Sequence, residues 1–184
     1  MEILLDIIRS VDYNILLLIA DKLRGGVLDP VMTMLSLMGN GGAVWITLAV
    51  LLLFFRKTRR AGVAMLLALA AGYVIGNLCI KELVMRPRPF VTHSDLTALL
   101  DPGDPWSFPS GHALSSFAAA TALWCFHKKT GLLPLVLAAL IAFSRLYASV
   151  HYPTDVLAGM LIGIALAHAA AFLTDRIIDT FHSI

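Results

Sequence analysis

The chain has 184 residues, 59% of them hydrophobic and only 14% charged, with a net charge of +2. Its charges are gathered into short clusters between long uncharged stretches, which argues against a water-soluble domain, and with no basic tail or recognition motif no nucleic-acid partner is expected. Two cysteines, Cys79 and Cys125, both lie in apolar stretches, which argues against a disulfide or cysteine–metal framework.

Met1 to Arg24 carries Glu2, Asp6, Arg9, Asp12, Asp21, Lys22 and Arg24 among isoleucines and leucines. That mixture predicts an amphipathic helix along the outer membrane interface, within residues 1–26. An ordinary first span with its charges turned inward is the alternative. No basic segment opens the chain, so a cleaved signal peptide is not expected. Val31 to Phe55 is uncharged, and Gly39-Asn40-Gly41-Gly42 within it predicts a break, with a span starting near Gly41. Arg56-Lys57-Thr58-Arg59-Arg60 ends that stretch, and Ala61 to Ile80 is the next. Ser110 to Phe126 runs into His127-Lys128-Lys129, Gly131 to Phe143 follows, and Val156 to Leu173 closes at Asp175-Arg176.

About 20 apolar helical residues cross a bilayer core of roughly 30 Å. The expected fold class is therefore all-α: a polytopic transmembrane bundle of five spans plus the N-terminal interfacial helix. It forms a single domain over 1–184, with the catalytic bundle in 27–184. Clustered Lys and Arg mark the cytoplasmic side. Residues 56–60, Lys128-Lys129 and the C-terminus are then expected inside, and the segments Lys81–Pro109 and Ala148–Asp155 outside. Two small-residue pairs, Gly72 with Gly76 and Gly159 with Gly163, have the spacing that lets membrane helices approach closely.

Charge is costly inside a bilayer, so the polar islands at the outer ends of the spans are informative. Lys81 to Pro89 holds Lys81, Arg86 and Arg88. Pro109-Ser110-Gly111-His112 opens an apolar helix. Ser144-Arg145 is followed by His151 and Asp155. Lys81, Arg88 and Arg145 offer charge and donors suited to phosphate oxygens. Ser110 reads as an N-cap, so the N–H groups of Ser110, Gly111 and His112 would face an anion at a helix N-terminus. Asp155, four residues after His151, could fix one imidazole nitrogen and leave the other free to attack. His112 could serve as general acid and then base. The three cations would neutralise the transition state, and no carboxylate cluster suits magnesium, so no metal or other cofactor is expected. Arg86 reads as a snorkelling side chain, His93 as a loop residue, and His168 and His182 as packing or surface residues.

The three islands resemble the signature of the type-2 phosphatidic acid phosphatase superfamily: K-x6-R-P, P-S-G-H and S-R-x5-H-x3-D. Every position is filled in order by Lys81, Arg88-Pro89, Pro109 to His112, Ser144-Arg145, His151 and Asp155. The resemblance implies that His151 is a nucleophile forming phosphohistidine, Asp155 its orienting group and His112 the general acid. It implies phosphate binding by Lys81, Arg88, Ser110, Gly111 and Arg145, without metal, near the outer membrane surface. The chain is also similar to small bacterial undecaprenyl-diphosphate phosphatases and to phosphatidylglycerophosphatase B-like enzymes. The expected function is hydrolysis of a lipid phosphate or diphosphate, first of all undecaprenyl diphosphate. Phosphatidylglycerophosphate or phosphatidic acid hydrolysis and lipid phosphotransfer are alternatives, as is a transporter or scaffold with a degenerate site. The expected partners are the substrate lipid and the bilayer, and a monomer would suffice. Phe90 to Ser107, with Asp95, Asp101, Asp104 and Trp106, is expected to cover the headgroup and tune selectivity. Opposite demands on His151 and His112 imply a bell-shaped pH–rate profile.

Overall fold

A computed structural model of the chain describes residues 2–182; the side chains of Ile178, Phe181 and His182 lie outside this description. Helix α1 (Glu2–Lys22) turns Asp12, Leu16 and Ile19 inward, at spacings of four and three residues along one stripe. Its other faces expose Ile3, Leu4, Ile7 and Val11, as a helix against lipid would. Helix α2 (Leu28–Met38) and helix α3 (Ala43–Leu53) are separated by a 3-10 turn and bend by 48°. Gly41 and Gly42 there take φ of 58° and 68°, a left-handed backbone that a side chain would strain.

Helix α4 (Arg59–Gly72), a π-helical segment (Tyr73–Ile80) and α5 (Lys81–Val84) form one continuous rod of 26 residues. Arg86-Pro87-Arg88-Pro89 cannot extend it, because each proline lacks an amide N–H and restricts the residue before it. A short α6 (Pro89–Thr92) leads into a loop that closes against Pro87 through Trp106. Helices α7 (Gly111–Phe126), α8 (Leu132–Tyr147) and α9 (Pro153–His182) complete the chain. Among the described residues there is no named strand, so the all-α expectation stands.

Two rods are long and apolar enough to cross a membrane alone, Arg59–Val84 and Pro153–Ile177, and the bent α2–α3 pair makes a third if it is one span. Helices α7 and α8, with 16 residues each, are about 24 Å long. All five helical segments overlap the uncharged stretches of the sequence.

Alanine-rich α7 lies at the centre, packed on α4, α8 and α9. The glycine pairs explain how closely. A methyl on Gly163 would stand 2.5 Å from the Leu114 carbonyl, and one on Gly159 would stand 2.6 Å from that of Ser110. Backbone thus meets backbone between α7 and α9. Gly72 and Gly76 instead make room for the Leu114 side chain. In lipid this close packing takes the place of hydrophobic burial as the source of cohesion. One polar tie joins the layers, Trp45 Nε1 donating to Ser116 Oγ at 2.9 Å.

Candidate active site

One end of the bundle collects the polar islands. The last turn of α8 carries Arg145, the turn after it carries His151, and Pro153 at the first position of α9 fixes where Asp155 sits. A cavity of about 710 Å³ opens here, and Lys81, Arg88, Gly111, His112, Arg145 and His151 all line it. The sequence thus identifies six cavity-lining residues directly. The other two, Ser110 and Asp155, lie fully buried behind the wall. Ser110 caps α7 through a long contact of 3.5 Å to the Ala113 amide. Its own N–H is donated to the Asp155 carbonyl at 3.1 Å. This corrects the expectation of three anion-facing amides: those of Gly111 and His112 remain, in the first turn where no intrahelical acceptor exists.

His151 is buried. Its Nδ1 lies 2.7 Å from the Ser107 carbonyl and 3.7 Å from Asp155 Oδ2. Held this way, Nδ1 carries the proton and donates to Ser107, which leaves the Nε2 lone pair free. Nε2 lies 3.4 Å from Arg88 Nη1, on the cation side of the ring. Burial pushes the imidazole pKa down to about 4; the Asp155 contact opposes this, and Arg145 and Arg88 add to it. The ring is therefore neutral at physiological pH.

Arg88 is clamped by the Val150 carbonyl at 2.7 Å and the Asp104 carbonyl at 2.8 Å. The Asp104 carboxylate bridges Arg88 Nη2 at 2.9 Å and Lys81 Nζ at 3.2 Å. Partial burial raises the pKa of this carboxyl, but Lys81 and Arg88 together outweigh it and hold it below the ordinary value. Arg145 Nη1 donates to Ser36 Oγ, while its buried Nε has no hydrogen-bond partner among the described residues. A buried unpaired guanidinium N–H costs free energy unless an acceptor arrives. Three cations, of which Lys81 and Arg88 share the Asp104 carboxylate, two amides at a helix start and an unpaired donor make a site chemically suited to an anion such as a phosphoryl group.

His112 Nε2 lies 2.9 Å from Asn40 Oδ1 and 3.2 Å from the Ser36 carbonyl. Gly39 permits this placement, since a methyl there would stand 2.6 Å from the His112 ring. The helix break in the apolar stretch is thus also the seat of the second histidine. Away from the cations the cavity becomes apolar, walled by Ile46, Leu66, Leu69, Tyr73 and Leu114.

Sequence reasoning misses several partners. Arg86, read as snorkelling, instead bridges Asp155 Oδ1 at 2.6 Å and Asp12 Oδ2 at 2.8 Å. Asp12, one of the charges of the amphipathic N-terminal segment, shares a stripe with Leu16 and Ile19. A carboxylate on an apolar stripe was the signal. Asn77, on the π-helical segment one turn before Lys81, also lines the cavity. Residues 101–104 of the long loop line the cavity beside the cations.

A family model described as the PAP2 superfamily matches residues 61–178, which contain all three islands. An undecaprenyl-diphosphatase of Sulfolobus acidocaldarius is 38% identical over 122 residues, covering 65% of this chain and 58% of that protein. The undecaprenyl-diphosphatase BcrC of Bacillus subtilis is 31% identical over 143 residues, covering 78% of this chain and 73% of that one. The chain spans about half the length of the first curated relatives it matches. A transmembrane PAP2 type phosphatidylglycerolphosphate phosphatase from Bacillus subtilis superposes with a TM-score of 0.76 at 27% identity, over 92% of this chain and 87% of that one.

Proposed function

The chain belongs to the PAP2 superfamily, and from that premise we propose that it is an integral-membrane, metal-independent lipid phosphatase working through a phosphohistidine on His151. The observation that carries this reading is the state of His151: Nδ1 tied to the Ser107 carbonyl, Nε2 free and beside Arg88, in a cavity lined by three cations. Nε2 forms a bond to phosphorus as the bond to the leaving oxygen breaks, and that oxygen takes a proton from His112. Water then attacks phosphorus and gives a proton to His112. The P–N bond breaks, and phosphate leaves with both histidines restored. Lys81, Arg88, Arg145 and the Gly111 and His112 amides stabilise the transferring oxygens throughout. Ser110 holds the start of α7, and Asp155 supports the ring.

The apolar half of the cavity suits a lipid tail entering from the bilayer. Together with the names of the relatives, it favours a polyprenyl diphosphate such as undecaprenyl diphosphate as substrate. Phosphatidylglycerophosphate is the second reading, favoured by the superposition on a phosphatase named for that lipid. The bent pair α2–α3, the rod 59–84, α7, α8 and α9 are the five spans, with α1 at the interface. Arg56, Lys57, Lys128 and Lys129 sit at helix ends away from the cavity, which supports an active site on the extracytoplasmic side and a C-terminus inside.

Trapping the intermediate tests the chemistry. Brief reaction with radiolabelled lipid substrate, then denaturation in alkali, should leave label on the protein that acid removes, as a P–N bond requires. His151→Ala should retain none. Label on wild-type protein that resists acid, or that persists in the variant, would sink the phosphohistidine.

A further inference from the structure

Asp12 is 1% exposed, although it belongs to a helix otherwise covered with exposed apolar side chains. Its Oδ1 accepts from the Thr154 amide at 3.0 Å. Its Oδ2 accepts from Thr154 Oγ1 at 2.5 Å and from Arg86 Nη2 at 2.8 Å. Arg86 Nη1 in turn donates to Asp155 Oδ1 at 2.6 Å and to Thr154 Oγ1 at 2.7 Å. The guanidinium lies 3.8 Å over the Tyr152 ring, which fixes its plane. The second oxygen of Asp155 accepts from the Tyr152 amide at 2.8 Å and faces His151 Nδ1. One row therefore alternates in sign: buried Asp12, half-buried Arg86, buried Asp155, and then the histidine ring.

We propose that Asp12 and Arg86 are positioning residues for the phosphatase reaction, through which the N-terminal helix sets the orientation and effective charge of Asp155 behind His151. This rests on the reading of His151 as nucleophile. When Nε2 bonds to phosphorus while Nδ1 keeps its proton, the ring becomes cationic. A carboxylate on the Nδ1 side stabilises that cation in proportion to the negative charge it presents. Arg86 alone would draw that charge away from the ring. Asp12, on the far side of the guanidinium, takes up part of the pull and leaves Asp155 more available. Both carboxylates are fully buried, so water reaches the row only at the guanidinium, which is 22% exposed, and cannot take the place of Asp12. Neither Asp12 nor Arg86 lines the cavity, so neither contributes to phosphate binding.

The test uses the full chain in detergent with Asp12→Asn, Arg86→Gln and the double variant, each read for kcat, KM and inhibition by orthovanadate, beside wild type and His151→Ala. Asparagine keeps the shape and the bond to the Thr154 amide, so the fold should survive. Asp12→Asn should lower kcat about tenfold, as outer partners of functional histidines do. KM and vanadate inhibition should stay within about twofold, because the cradle is untouched. The double variant should have the kcat of Arg86→Gln alone, because Asp12 acts through Arg86. Unchanged kcat in Asp12→Asn would overturn the proposal. So would losses that multiply in the double variant, or an Asp12→Asn chain that aggregates or no longer responds to vanadate. Each of these, with wild type active and His151→Ala dead, leaves the phosphatase reading standing. A wild type inactive on every lipid removes that reading and this inference together.

Discussion

His151 owes its reactivity to what surrounds it. An ordinary histidine titrates near pH ~6.5, but burial and the neighbouring arginines bring this one to about 4. As the proposed nucleophile it must be neutral to attack, and its neutral form is lost only as pH falls through that lower value. After correction for substrate ionisation, the acid limb of kcat/KM should therefore lie near pH 4. An enzyme limb near the ordinary histidine value would contradict the buried, arginine-flanked ring. The signature residues were legible because phosphoryl transfer needs those residue types at short, fixed spacings. Asp12 and Arg86 were not, since 74 residues separate them and only folding reveals that they touch. In the sequence Asp104 is one charge of a long loop, and its place between Lys81 and Arg88 depends on how the loop closes.

Among the elements, the packing of α9 on α7 sets where the site opens, because Gly159 sits against the Ser110 carbonyl at the cradle itself. Sequence spacing marked both glycine pairs alike, and the structure separates them. A methyl at Gly163 meets a backbone carbonyl that cannot move without displacing α7. One at Gly76 meets Leu114 Cδ1 at 2.4 Å, the end of a side chain that can rotate. Gly163→Ala should thus destabilise by about 2 kcal/mol, the usual cost of overpacking, and Gly76→Ala by clearly less. Thermal unfolding in one detergent measures the order, and a reversed order would contradict the assigned contacts. The π-helical segment was not legible, because within a uniformly apolar run no residue marks a change of helical register. It nevertheless determines which side of the rod Asn77 and Lys81 present to the cavity.

Over the whole molecule, polarity is segregated by position along the bundle. At the end away from the cavity, Arg60 pairs with Asp175 at 3.1 Å and Asp179 at 2.9 Å. At the other end, cations converge on a cavity that continues into an apolar chamber. That gradient joins a cationic end to an apolar one within a single cavity, which suits the proposed phosphorylated lipid better than a soluble phosphate ester. The helical membrane class and the location of the five apolar stretches were readable from hydropathy. How the chamber joins the cradle was not, because its walls come from α3, α4 and α7 at once.

The most direct measurement is phosphate release by the purified chain with EDTA present, offered undecaprenyl diphosphate, phosphatidylglycerophosphate and phosphatidic acid side by side, with His151→Ala as control. Release that survives chelation, vanishes in the variant and is fastest from the polyprenyl diphosphate is the expected result. Release that depends on an added metal, or that continues without His151, would contradict the central claim.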